Sequence, residues 1–138
     1  MSKTIYSIYD NSPKTEQIST LLGQNNTAKI QLSGLVGSSI SFLIRSLFKK
    51  SELPFVLILN DKEEAAYFLN DLEQMVGDQD VLFYPASFRR PYQIEETDNA
   101  NVLLRAEVLN RINSRKKPAI IVSYPEALFE KVVTRKEL

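Results

Sequence analysis

The stretch from Phe55 to Pro85, FVLILNDKEEAAYFLNDLEQMVGDQDVLFYP, decides the fold. It begins with the nearly continuous apolar run FVLILN, which is typical of a strand in a parallel sheet that is covered on both faces, and it ends with a second predicted strand, DVLFYP, that Pro85 terminates. Between them, Asp61 and Glu64 have the spacing of a capping box, and Gly77 is a suitable end for the helix that follows it. The buried face of this helix is expected to comprise Ala65, Phe68, Leu69 and Leu72. The stretch therefore predicts a strand, a helix and a second, parallel strand.

The same alternation extends to both sides of this stretch. Upstream, residues 28–34 (AKIQLSG) predict a strand and residues 38–50 a helix, after a linker-like start and a short helix that begins near Ser12. Downstream, residues 99–117 predict a helix, residues 118–123 a strand, and residues 124–138 a last short helix. The inward face of the long downstream helix is expected to be Val102, Leu103, Ala106, Leu109 and Ile112.

This order predicts an α/β fold with a doubly wound, mainly parallel sheet. We expect an N-terminal tail and short helix over residues 1–27 and an α/β subdomain over residues 28–138.

Composition limits the chemistry. The chain has 138 residues, which suits one domain, with 17 basic and 17 acidic side chains and therefore no net charge to attract nucleic acid or a membrane. It has no cysteine and no histidine, so disulfides, thiol nucleophiles and the commonest general base are excluded, and no metal site is expected. Without a signal peptide or a long apolar run, the chain is expected to be cytoplasmic, with no membrane partner.

The octapeptide GLVGSSIS, Gly34–Ser41, nearly matches the phosphate loop G-x-x-x-x-G-K-[ST]. Gly34 and Ser41 fit, but Ser39 replaces the second required glycine and Ile40 replaces the lysine that reaches the outer phosphates. The segment is either an ordinary strand-to-helix turn or the remnant of a nucleotide site. On both interpretations we expect no bound cofactor and no ATP hydrolysis, because the strand at 119–123 also ends in Ser123 rather than in paired acids. The candidate residues of this degenerate loop are Gly34, Gly37, Ser38, Ser39, Ile40 and Ser41.

A family resemblance favours the second interpretation. The segments GLVGSSISFLIRSL, FVLILNDKEEAAYFLNDLEQM, VLFYPASFRRPYQIEETDNANVLLRAEVLNRI and AIIVSYPEALFEKV resemble the N-terminal part of bacterial transcription-repair coupling factors. That part is itself similar to the first domain of the B component of the excinuclease. The resemblance implies a sheet of the P-loop helicase (RecA-like) type that has kept its fold and lost its nucleotide site.

The resemblance also implies partners. Proteins of this family displace RNA polymerase stalled at DNA lesions and recruit the A component of the excision-repair enzyme for nucleotide excision repair. Their ATP-dependent DNA translocase, which is a hydrolase, is a separate downstream motor, and the contact with the A component lies mainly on a domain inserted after the segment that corresponds to residues 125–138. The chain is therefore expected to be a non-catalytic scaffold that packs against neighbouring domains of a much larger protein.

Two alternatives remain open at the level of sequence. One is a nucleotide-binding helicase-type domain that uses an atypical loop. The other is a free-standing DNA-binding module, for which the candidate contacts are Arg89 and Arg90, which lie among aromatic residues, and Lys116 and Lys117 in the basic segment SRKKP.

Overall fold

The computed structural model describes residues 2–24, 27–87 and 99–132. The chain divides into two compact units, Met1–Leu53 and Pro54–Leu138. The boundary after residue 27, which the sequence suggests, stays a prediction. No helix in the described part of the chain is long and apolar enough to cross a membrane.

The first unit is helical in its described part. Its helices are α1 (Ser2–Asp10), α2 (Pro13–Leu22) and α3 (Ser39–Ser51), and both α1 and α2 pack against α3. Pro13 opens α2 and Gly23 follows its last residue, as predicted from the sequence.

The second unit carries the sheet. Its described elements are β1 (Phe55–Ile58), α4 (Lys62–Val76), β2 (Val81–Phe83), α5 (Asn99–Ser114), β3 (Ile120–Ser123) and α6 (Pro125–Phe129). The three strands are parallel and lie in the order β1-β3-β2, so that Ile120 of β3 lies between Phe55 and Val81. All four residues of β3 are buried. The predicted α/β class and the parallel pairing are confirmed.

Helix α4 forms as its sequence predicts. The Asp61 carboxylate accepts a hydrogen bond from the Glu64 backbone N–H at 2.8 Å, and the Glu64 carboxylate accepts one from the Asn60 backbone N–H at 3.0 Å. These two bonds satisfy two backbone donors at the helix start, the second belonging to Asn60 and not to the N-cap residue Asp61. The helix ends before Gly77, whose φ of 104° favours glycine. Its buried side chains include Ala65, Phe68 and Leu72, as expected.

Strand β1 departs from the prediction. Its apolar run indicated a strand covered on both faces, but Val56 and Ile58 are 55% and 59% exposed. In the described sheet β1 lies at one edge, with β3 as its neighbour. The expectation of a strand covered on both faces is therefore wrong for β1.

Two predictions for the first unit are wrong. The linker-like start forms the helix α1, and residues 28–34 form no strand. In residues 28–34 the alternating side chains Ile30 and Leu32 are exposed. A strand needs a neighbour to satisfy its backbone N–H and C=O groups, and the three strands that pair in the described structure all come from the second unit.

Helix α5 faces its unit with a different side from the one predicted. Val102, Leu103 and Ile112 are exposed, as is Ala106, and Leu109 is half-buried. The fully buried residues of α5 are Arg105 and Val108. The orientation of α5 follows from the hydrogen bonds that Arg105 makes to backbone carbonyls of distant segments.

Candidate functional site

The predicted phosphate-loop segment forms a glycine turn that leads into α3. Gly34 has a φ of 80° and Gly37 a φ of 57°, both in the left-handed region. A Cβ atom at either position would meet no atom within 4 Å among the described residues. Glycine is therefore favoured here by backbone conformation and not by close approach to another group.

Ser39 closes this turn. Its hydroxyl oxygen accepts a hydrogen bond from the Val36 N–H at 2.9 Å and donates one to the Val36 carbonyl at 2.6 Å. In a phosphate loop the position of Ser39 is a glycine. Here its side chain bonds within the loop, which stabilises the turn in the absence of an anion.

Ile40 and Ser41 lie in the first turn of α3. Ile40 is half-buried and supplies no charge, and Ser41 is fully buried. The Ser41 hydroxyl has no hydrogen-bond partner among the described residues. A serine that binds magnesium in a phosphate loop must reach the ion and the bound phosphates. The segment therefore has a glycine turn at the start of a helix but lacks the side chains that hold a phosphate and its metal ion.

The second candidate site is the basic segment that contains Lys116 and Lys117. The Lys117 ammonium lies 3.2 Å from the Asp80 carboxylate, which also accepts a hydrogen bond from Arg111 Nη2 at 2.7 Å. The same Arg111 guanidinium donates to the carbonyls of Lys117, Gln79 and Pro118. Lys116 is exposed. Lys117 is thus paired at the surface with Asp80, at the junction of α5 with the turns that precede β2 and β3, while its side chain stays 60% exposed.

The Asp80 pairing predicts a pH dependence. Partial burial raises the pKa of the Asp80 carboxyl, but hydrogen bonds from Arg111 and Lys117 outweigh this effect and hold the pKa below its usual 3.8. A lowered folded-state pKa stabilises the protein above the unfolded-state pKa, and this contribution is lost as the pH falls through the folded-state value. We expect Asp80→Asn to lower the free energy of unfolding by about 1–2 kcal/mol at pH 7.

Urea unfolding at a series of pH values checks this expectation. The difference between wild type and Asp80→Asn should shrink as the pH falls below 3.8. Asp78→Asn removes an exposed carboxylate two residues away and is the matched control. An equal effect of both variants at pH 7 contradicts the assignment.

A polar cluster that the sequence did not predict lies at the carboxyl ends of β2 and β3, and we name it the carboxyl-edge cluster. Its members are Tyr84, Ser87, Asn101, Arg105, Tyr124 and Glu130. The carboxyl ends of parallel strands are where α/β sheets commonly bind ligands, and this cluster lies at that edge.

Arg105 is the centre of the carboxyl-edge cluster. Its Nη1 donates hydrogen bonds to the carbonyls of Pro85 and Ala127, each at 2.9 Å, and lies 3.5 Å from Glu130 Oε2. The guanidinium carbon is 4.2 Å from the centre of the Tyr84 ring. Arg105 Nη2 is buried and has no hydrogen-bond partner among the described residues. A buried cation here is held by backbone dipoles, one carboxylate and an aromatic face.

The other members of the cluster also bind backbone. Glu130 accepts hydrogen bonds from the Ser87 N–H and hydroxyl at 2.8 and 2.7 Å, and the Tyr124 hydroxyl accepts one from the Ala86 N–H at 2.9 Å. Asn101 donates to the Ala86 carbonyl at 2.9 Å. The cluster therefore ties the segment after β2 to both α5 and α6.

Burial raises the pKa of the Tyr84 phenol and of the Tyr124 phenol. Both phenols are therefore neutral at pH 7, and neither is poised as a general base. The Glu130 carboxylate is engaged by Ser87, and the Arg105 guanidinium is engaged by backbone carbonyls. The carboxyl-edge cluster therefore has the properties of a structural anchor.

The sequence contains a signal for this cluster that is visible only in retrospect. Asn101, Arg105 and Val108 have the spacing of one helical stripe, but two of the three are polar. The apolar residues on the other side of α5 suggested the opposite face.

The remaining candidates, Arg89 and Arg90, lie outside the described residues, and their DNA contact stays a prediction. Within the described part of the chain, no group of three acidic side chains is placed to hold a metal ion.

Comparison with known proteins gives one informative similarity. The chain is 26% identical over 92 residues to the transcription-repair-coupling factor of Rickettsia bellii (strain RML369-C). The match covers 66% of this chain and 8% of that relative's length. No protein-family model matches the chain, and no solved structure matches it significantly. The sequence similarity therefore indicates a domain that is related to a short part of that relative.

Proposed function

We propose that this chain is a non-catalytic scaffold domain of a protein that couples transcription to DNA repair. The observation that carries the proposal is the similarity over 92 residues to a transcription-repair-coupling factor. In this proposal the α/β unit is the start of a doubly wound, helicase-type (RecA-like) domain. The successive strand-helix units and the parallel order β1-β3-β2 are compatible with such a domain.

The loop at the start of α3 supports the non-catalytic part of the proposal. It has two glycines in the left-handed conformation, but an isoleucine replaces the phosphate-binding lysine, and the serine at the position of the magnesium ligand is buried. The A component of the excision-repair enzyme, RNA polymerase and DNA are the proposed partners of the longer protein. The proposed role of the present domain is to support its neighbours within the same chain.

A free-standing DNA-binding module has less support from the described residues. Binding to the DNA backbone depends on cations that are free to neutralise phosphates. Lys117, one of the four predicted contacts, is instead paired with Asp80.

Strand-specific repair tests the transcription-coupling role. Deletion of the gene is expected to remove the faster repair of ultraviolet lesions in the transcribed strand of active genes, while repair of the other strand stays at its normal rate. Restoring the wild-type gene should restore the difference between strands. A deletion strain that still repairs the transcribed strand faster contradicts the proposal.

Restoring the missing loop residues tests whether the chain lacks catalysis. We expect the double variant Ser39→Gly/Ile40→Lys to remain folded, to gain at most weak phosphate affinity and to show no ATP turnover. The added lysine supplies a charge, but Ser41 stays buried and the strand at 119–123 still ends without paired acids. A phosphate-release assay checks turnover, with Ile40→Leu as the control for substitution at this position. Measurable turnover by the double variant contradicts the proposal.

A further inference from the structure

Strand β1 has an open hydrogen-bonding edge in the described sheet. On the side of β3, the Phe55 N–H donates to the Ala119 carbonyl at 3.0 Å. Backbone groups of successive residues point to opposite sides of a strand, so the N–H and C=O groups of Val56 and Ile58 point away from β3. No other described strand pairs with them. Two donors and two acceptors of β1 therefore face outward.

Strand β1 also lacks the features that usually protect such an edge. Edge strands are commonly blunted by a charged residue, a proline or a bulge. The four residues of β1, FVLI, include no charge and no proline, and their pairing with β3 is continuous from Phe55 to Ile58. Val56 and Ile58 are exposed, whereas Val81 and Leu82 of β2, the strand at the other edge of the described sheet, are buried. The edge of β1 is therefore suited to pair with a further strand.

An apolar groove adjoins the exposed face of β1. It has a volume of about 240 Å³ and is lined by Ile58 and by Pro125, Leu128 and Phe129 of α6. The Phe129 side chain is 88% exposed. Contiguous exposed apolar surface is typical of interaction sites. A strand that pairs with β1 thus also meets apolar side chains beside it.

The pattern of β1 fits a second copy of the same strand. In an antiparallel pair with Leu57 of one copy opposite Leu57 of the other, Val56 of each copy lies opposite Ile58 of the other. Val56 and Ile58 are then hydrogen-bonded pairs, in which the two residues exchange both backbone bonds. This register satisfies every outward-facing backbone group of β1 in both copies. It also forms two identical pairs of β-branched side chains on the exposed face.

Charge does not oppose this pairing. No residue of β1 is charged, so the two-fold symmetry brings no like charges together within the strand. The chain as a whole has 17 basic and 17 acidic side chains, and two copies therefore do not repel one another through their net charge.

We propose that β1 is a self-association edge, through which two copies of this chain join their described strands into one continuous sheet. The strand is short, so the interface is at the small end of those that proteins use, and a dissociation constant of about 10 µM to 1 mM is expected. The proposal goes beyond the scaffold role and does not depend on it, since it identifies a surface and its partner from backbone pairing alone.

Cysteine cross-linking tests the register, because the chain has no cysteine of its own. In the proposed dimer the two Leu57 residues form a non-hydrogen-bonded pair with Cα atoms about 4.5 Å apart, within reach of a disulfide. The two Val56 residues lie diagonally, about 7–8 Å apart, which is beyond that reach. Under the same mild oxidant, Leu57→Cys should form a linked dimer at least about tenfold faster than Val56→Cys does. Val56 is the more exposed of the two, so equal or faster linking of Val56→Cys indicates random collision and overturns the proposal.

Sedimentation equilibrium of the full 138-residue chain measures the dimer without a cross-link. Val56→Lys places a charge on the pairing edge and should weaken the dimer at least about tenfold. Leu103→Lys changes an exposed apolar residue of α5 and should leave the dimer unchanged.

Circular dichroism verifies that each variant remains folded, and the two lysine variants, both at exposed positions, still decide the question if Leu57→Cys unfolds. A wild-type chain that stays monomeric at about 1 mM overturns the proposal. So does a dimer that Val56→Lys leaves equally strong, because another surface then forms the contact.

Discussion

Arg105→Ala is expected to lower the free energy of unfolding of the second unit by about 3–5 kcal/mol, which is the usual cost of removing one partner of a buried ion pair. The substitution removes both hydrogen bonds to the carbonyls of Pro85 and Ala127 and the contact with the Tyr84 ring. It also leaves the Glu130 carboxylate, whose side chain is 15% exposed, without its cation. These losses affect the segment after β2, α5 and α6 together.

Urea unfolding followed by far-ultraviolet circular dichroism measures this loss. Glu107→Ala changes an exposed charge on the same helix and is the matched control, with an expected effect within about 0.5 kcal/mol. An Arg105→Ala variant that is destabilised no more than the Glu107→Ala control contradicts the anchoring role.

Ile120→Ala is expected to lower the free energy of unfolding by about 2–5 kcal/mol. Ile120 is fully buried in the central strand, where it pairs with Phe55 on one side and Val81 on the other. Truncation removes apolar contacts and leaves a cavity that a sheet held on both sides cannot easily close.

Val56→Ala is the matched control for this prediction. Val56 belongs to the edge strand of the described sheet and is more than half exposed, so its truncation should cost less than about 1 kcal/mol. The same urea titration compares the two variants. Similar losses for Ile120→Ala and Val56→Ala contradict the assignment of β3 as the buried centre of the sheet.

Much of the fold could be predicted because it depends on local signals. The capping box at Asp61 and Glu64 sets the start of α4, and Gly77 sets its end. The apolar residues within 118–123 predict a strand, and Ile120–Ser123 form β3. Such signals depend on residues close in sequence, and the structure confirms them.

Features that depend on distant partners could not be predicted. The segment 28–34 has the alternation of a strand, but an alternating pattern cannot show whether a pairing strand is present. Helix α5 has apolar side chains on more than one side, so its periodicity cannot select the buried face. The carbonyl groups that hold Arg105 belong to Pro85 and Ala127, each at least 20 residues away in the chain.

In the candidate site, too, local features could be predicted from the sequence and contacts with distant residues could not. The positive φ of Gly34 and Gly37 agrees with a turn predicted from the glycines, and the missing lysine is evident from Ile40 itself. The pairing of Lys117 with Asp80 was not predictable, because a cluster of lysines near a helix end gives no sign of an acidic residue from another turn. Sequence alone therefore predicted the glycine turn, but neither the absence of a strand before it nor the charges available for binding.

The most direct test of the central proposal is a titration of the wild-type chain with a fluorescent ATP analogue, with and without magnesium. We predict no saturable binding at micromolar concentrations in either condition, because Ile40 supplies no charge for the phosphates and the Ser41 hydroxyl is buried. Micromolar binding that requires magnesium contradicts the assignment of this chain as a scaffold that has lost its nucleotide site.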